Sequence, residues 1–111
     1  MEKLKVIFRK EYNEYTKRWE IIAFMPECSA SYGNITCFDK TCGHGEATYG
    51  YYLKTRKATP EEYAELLSIM KRIYTDNDNS GYEGNFELVV KQRLHYDDLI
   101  NKAWNRRLNY A

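Results

Sequence analysis

Leu4, Val6 and Phe8 alternate with Lys3, Lys5 and Arg9, and this period of two predicts a strand over residues 3–10 with one face against a core. A polar stretch, 11–17, leads to Trp19-Glu20-Ile21-Ile22-Ala23-Phe24-Met25, rich in aromatic and β-branched residues and stopped by Pro26. The two segments predict a hairpin. Ile22 and Phe24 point opposite to Trp19, Ile21 and Ala23, so the second strand is apolar on both faces and is expected inside the sheet. A weaker third strand is expected over 34–39.

The pattern changes at Gly45. Ala47, Tyr51, Tyr52 and Leu53 have helix-like spacing, weakened by Gly50, which costs roughly 1 kcal/mol relative to Ala in a helix interior. A short helix is predicted there. Thr59-Pro60-Glu61-Glu62 gives a firmer start signal: Thr59 can cap, Pro60 suits the first turn and Glu62 can close a capping box. Tyr63, Leu66, Leu67, Met70, Ile73 and Tyr74 then form one apolar face, which is expected to lie on the sheet. Residues 76–85 are turn formers. Phe86, Leu88 and Val90 alternate with Glu87, Val89 and Lys91 as another strand, and Leu99, Ile100, Ala103 and Trp104 mark a last helix over 97–108.

The order ββ(β)ααβα predicts an α+β fold, a small antiparallel sheet of three or four strands with about three helices packed on one face. No internal repeat or linker interrupts it, and 111 residues suit a single domain over 1–111. Apolar residues at 43% and interspersed charges at 30% fit a folded chain rather than a disordered one. Seventeen Lys and Arg against sixteen Asp and Glu leave a net charge of +1, which argues against bulk coating of nucleic acid. No window approaches the roughly 20 apolar residues of a membrane helix, and Met1-Glu2-Lys3-Leu4-Lys5 lacks a secretory h-region, so a cytoplasmic protein without a membrane partner is expected. Three cysteines at irregular spacing make no disulfide framework, and reduced thiols are expected.

Four constellations bear on chemistry. Residues 76–87 resemble an EF-hand loop, in which Asp76, Asp78, Ser80, the Tyr82 carbonyl and Glu87 would hold calcium. Glu83 and Gly84 depart from that pattern, and no second hand exists to pair with it, so a plain polar loop is the favoured reading. Cys37, Cys42 and His44, with Cys28 as a fourth, have the donor chemistry of structural zinc but not its spacing. Cys42 or His44 could serve catalysis with Glu46, His95, Asp97 or Asp98, yet nothing in the sequence shows a nucleophile within reach of a base. No metal, cofactor or catalytic residue is therefore assigned. The alternatives kept open are a small enzyme using Cys42 and His44 and a calcium-binding protein using the 76–87 loop.

The fourth constellation is the tyrosine content, eleven in all, with a run at Tyr49-Gly50-Tyr51-Tyr52-Leu53-Lys54-Thr55-Arg56-Lys57. Tyrosine rings stack on bases while cations meet phosphates, and Tyr with Arg also suits protein contacts. Tyr49, Tyr51, Tyr52, Lys54, Arg56 and Lys57 are the expected binding residues of a small non-enzymatic module that engages a protein partner or a nucleotide-like ligand. The run 51–63, with Val6-Ile7-Phe8-Arg9-Lys10 and Leu88-Val89-Val90-Lys91-Gln92-Arg93, resembles small uncharacterised proteins of gut bacteria and their phages or mobile elements. Those proteins have no assigned activity. The resemblance implies an accessory protein inside a bacterial cell that works by binding, and it carries over no functional residue.

Overall fold

The computed structural model describes residues 2–28, 30–31, 33–74 and 86–92. A hairpin comes first, β1 (Glu2–Asn13) and β2 (Arg18–Met25), paired antiparallel with Phe8 opposite Ala23 and Ile7 opposite Phe24. Next come β3 (Ile35–Asp39) and β4 (Gly43–Ala47), α1 (Tyr49–Lys54), the two-residue β5 (Arg56–Lys57), α2 (Pro60–Tyr74) and β6 (Phe86–Lys91). The sheet runs β4-β3-β2-β1-β5, and β6 shares the free edge of β1 with β5. Every pairing is antiparallel except β1 with β6, where Leu4 lies beside Leu88 and Val6 beside Val90.

Strand parity divides the core in two. Phe8, Ala23 and Phe38 are neighbours on one face, where they pack with Leu4, Val6, Met25 and with Leu66, Met70 and Tyr74 of α2. Ile7, Phe24 and Cys37 are neighbours on the other, covered with Ile35 by Tyr52 of α1. We call these the first and second faces. β2 carries apolar residues to both, so a sheet with one bare side would leave Ile22 and Phe24 in water.

The expected α+β sandwich is thus corrected. An open six-stranded sheet dominates instead of a three- or four-stranded one. Two helices are described, not about three, and they lie on opposite faces rather than together. The expected last helix, 97–108, lies outside the described residues. Two strands account for much of the difference. β4 is spelled Gly-His-Gly-Glu-Ala and has almost no strand propensity of its own; it forms because a tight turn folds it back on β3. In that turn the Asp39 carboxylate accepts from the N–H groups of Thr41 (2.8 Å) and Cys42 (2.7 Å), and Gly43 leaves it at a φ of 79°. β5 is too short for any periodic signal and is fixed by pairing with Arg9 and Lys10.

The helix ends follow their sequence. The Thr59 hydroxyl accepts from the Glu62 N–H (3.3 Å) while the Glu62 carboxylate accepts from the Thr59 N–H (2.8 Å), a closed capping box. Thr48 caps α1, accepting from the Tyr51 N–H at 3.0 Å. Its other end is held from outside: the Arg9 guanidinium donates to the Thr55 carbonyl (2.6 Å) and hydroxyl (3.0 Å), and lies 4.8 Å from the centre of the Tyr52 ring. A cation at a helix C-terminus also complements the dipole. Arg9→Ala should therefore cost about 2 kcal/mol in urea denaturation, with Arg9→Lys recovering only part because it cannot reproduce the two-pronged contact.

Candidate functional site

The expected binding run is divided by the fold. Tyr52 is 4% exposed, edge-on to Phe24 with ring centres 5.1 Å apart, and belongs to the second-face core. Tyr49 and Tyr51 are half-buried beside it; Tyr49 stacks on Tyr52 at 6.2 Å and the Tyr51 hydroxyl donates to the Glu11 carboxylate. Burial, reinforced by Glu11, pushes the Tyr51 phenol well above its usual pKa, so it stays a donor. Lys54 is exposed at the end of α1. Arg56 and Lys57 are also exposed, but β5 turns them to opposite faces, Arg56 beside Lys10 on the first and Lys57 beside Arg9 on the second. The tyrosines of this run chiefly roof the second core, while Arg56 is delivered elsewhere.

Arg56 reaches a surface at the hairpin end of the first face. Tyr12 and Trp19, cross-strand partners, meet edge to face with ring centres 5.5 Å apart. They are 44% and 46% exposed. The Lys10 ammonium lies 4.9 Å from the centre of the Trp19 ring and the Arg56 guanidinium 6.0 Å from it. Lys10 is held there by a 2.7 Å ion pair with Glu62, which lowers the Glu62 pKa and ties this surface to the start of α2. Beyond the rings, the turn presents Tyr15 almost wholly exposed at 99%. Asn13 shapes that turn, accepting from the N–H groups of Tyr15 (2.9 Å) and Thr16 (3.2 Å), and Lys17 closes it at a φ of 57°.

Sequence reasoning did not single out Lys10, Tyr12, Tyr15 or Trp19. The available signal was the register: once the hairpin is paired, the apolar alternation of the first face continues through Tyr12 and Trp19, past the stretch covered by α2. Arg56 could not have been placed beside them without knowing β5.

The remaining candidates are dispersed. Cys37 faces the second side of the sheet and His44, opposite Phe38, the first. Burial, then the charges of Asp39 and Glu46, raise the Cys37 thiol pKa, which disfavours the thiolate that zinc or nucleophilic chemistry needs. Cys28 packs at the edge of the first-face core, and Cys42 is exposed in the β3–β4 turn. Among the described residues no three His, Cys, Asp or Glu side chains are arranged to hold a metal ion. Residues 76–85 of the calcium-loop candidate, together with His95, Asp97 and Asp98, lie outside the described residues; Glu87 sits on β6 beside Lys3. An open groove of about 350 Å³ runs along α2, lined by Pro60, Tyr63, Ala64, Leu67, Ser68 and Lys71, without a pair of reactive side chains.

His44 has a structural part. Its ring lies on Phe38 (4.7 Å between centres) and edge-on to Tyr74 (5.8 Å), whose hydroxyl shares a hydrogen bond with Nε2. Burial lowers its pKa from the ordinary 6.5. The unfolded chain therefore binds this proton more readily, so the contribution of His44 to stability is full above its unfolded pKa and is lost as pH falls through the lower folded value. Urea midpoints at about pH 7.5 and about pH 5.5 should show that loss, and His44→Gln should flatten the difference.

No helix among the described residues is long and apolar enough to cross a membrane. The chain matches no family model, and comparison with curated proteins and with solved structures found no match.

Proposed function

We propose that this chain is a small non-enzymatic binding module, acting in the bacterial cytoplasm as an accessory protein, that docks a protein partner through the hairpin end of its sheet. The observation that carries this reading is the half-exposed Tyr12–Trp19 pair with Lys10 and Arg56 at its ring faces and Tyr15 projecting beside it. Trp, Tyr and Arg are the residue types that dominate binding energy at protein interfaces, where a rigid ring offers large contact area at low entropic cost. The charge around the surface favours a protein over a nucleotide-like ligand. On the first face the Lys10 ammonium beside Trp19 is already paired with the Glu62 carboxylate at 2.7 Å, and the adjoining turn carries Glu14 together with Lys17. A polyanion needs an excess of cations that this mixture does not supply.

Site-specific photo-cross-linking tests the proposal. A photoreactive phenylalanine analogue at Tyr15 should give one discrete protein adduct in host cells, and the same group at exposed Lys71 on α2 should not. Identical adduct patterns from both positions would contradict it.

A further inference from the structure

Among the described residues the sheet is open at β4, which ends the strand order with β3 as its neighbour. Edge strands are commonly protected by proline, lysine, a bulge or a covering element, because an exposed ladder pairs with any suitable strand. β4, Gly43-His44-Gly45-Glu46-Ala47, contains neither proline nor lysine and pairs with β3 in unbroken register over all five residues. His44 and Glu46 both stand on the first face, opposite Phe38 and Thr36. On the second face are Gly43, Gly45 and Ala47, so no large side chain of β4 obstructs another strand there.

The geometry points to a second copy of this chain as the occupant of that edge, the two β4 strands pairing antiparallel about a two-fold axis at Gly45. In that register Gly45 faces Gly45 of the second copy and Gly43 faces Ala47. His44 then faces Glu46, and symmetry repeats the pair. Directly opposed side chains sit about 4.5–5.5 Å apart at Cβ, close enough for imidazole and carboxylate to interact. Glu46 has an oxygen to offer, since Oε1 accepts from the Ser31 N–H and Oε2 has no partner among the described residues. The competing registers are worse matched. An in-register parallel pair, or an antiparallel pair whose axis moves to Glu46, sets Glu46 against Glu46, and like charges opposed across strands repel; moving the axis to His44 instead places Glu46 opposite Cys42 and loses its pairing with the imidazole. The sequence of β4 is thus complementary to itself in one register. Joining two five-residue edges makes a small interface, below the roughly 1,000 Å² of stable complexes, so the dimer is weak and depends on concentration.

Sedimentation velocity on the unmodified chain should show a monomer–dimer equilibrium that moves toward dimer over a concentration series from micromolar to millimolar. Glu46→Lys, which removes the carboxylate that faces His44, should weaken the association at least about tenfold. The register is read by disulfide trapping. Cysteine at position 45 should cross-link to itself, because residues paired across a two-fold antiparallel axis have Cα atoms about 4.5–5.5 Å apart, within disulfide reach. Cys37 must be replaced by Ala in that variant, since its Sγ lies 3.8 Å from where the new Cβ would stand; Cys28 and Cys42 become Ser. A cysteine at Thr41, in the β3–β4 turn, should cross-link far less in the same background. A wild-type chain that stays monomeric throughout the series overturns the proposal, as does a position-45 cysteine that cross-links no faster than the one at 41.

Discussion

Phe24→Ala is expected to remove about 3–5 kcal/mol of folding free energy, the largest effect of any single truncation considered for this chain. Phe24 is fully buried on the second face, with the Tyr52 ring edge-on at 5.1 Å and the Tyr51 ring at 6.4 Å. Its loss would leave a cavity between β2 and α1 as well as forfeit the transfer free energy of the ring. Small domains have about 5–15 kcal/mol in total, so the variant should unfold at a far lower denaturant concentration, or fail to fold at 37 °C. Leu53→Ala provides the contrast: that side chain is 60% exposed on the same helix and should change stability by no more than about 0.5 kcal/mol. Urea denaturation of both variants checks the claim that the sheet has two cores. A Phe24→Ala cost below about 1 kcal/mol would mean that the second face is not packed as described.

Trp19→Ala should have the second large effect, on binding rather than on folding. A tryptophan at the centre of a protein contact commonly accounts for 2 kcal/mol or more on truncation, roughly a 30-fold loss of affinity. The ring is half-exposed, and among the described residues it meets Tyr12, Lys10 and Arg56. Losing those contacts costs about 1 kcal/mol of stability, small enough for the variant to remain folded. Affinity for the protein captured at Tyr15, measured by calorimetry, should therefore fall while the circular dichroism spectrum does not change. Arg56→Ala should lower affinity less, since its guanidinium lies 6.0 Å from the centre of the Trp19 ring, farther than the Lys10 ammonium at 4.9 Å.

The sequence makes the local elements readable and hides the way they combine. Alternation in Leu4, Val6 and Phe8 and the two-sided apolarity of Ile21 to Met25 mark β1 and β2, and Thr59 to Glu62 mark the start of α2, because each signal lies within a few residues of the structure that it produces. The same two-sided apolarity of β2 already requires cover on both faces, and Tyr52 of α1 supplies it on the second. β4 escapes any local reading, since glycines at 43 and 45 and no β-branched residue leave its strand conformation to the β3 ladder. The proposed binding surface is hidden for a related reason. Tyr12 and Trp19 are brought together by the hairpin register, and Arg56 reaches them only after α1 has crossed the second face and returned the chain to the β1 edge. The tyrosines of 49–52 stand out in the sequence by their density, and density does not distinguish a ring that roofs a core from one that faces a partner.

The central claim is that the rings at the hairpin end are covered when the chain does its work, and the fluorescence of Trp19 reports on that directly. In a chain with Trp104 replaced by Phe, acrylamide should quench Trp19 readily when the protein is alone and several-fold less once the partner captured through Tyr15 is added. Equal quenching in the free and bound states would show that the partner docks elsewhere.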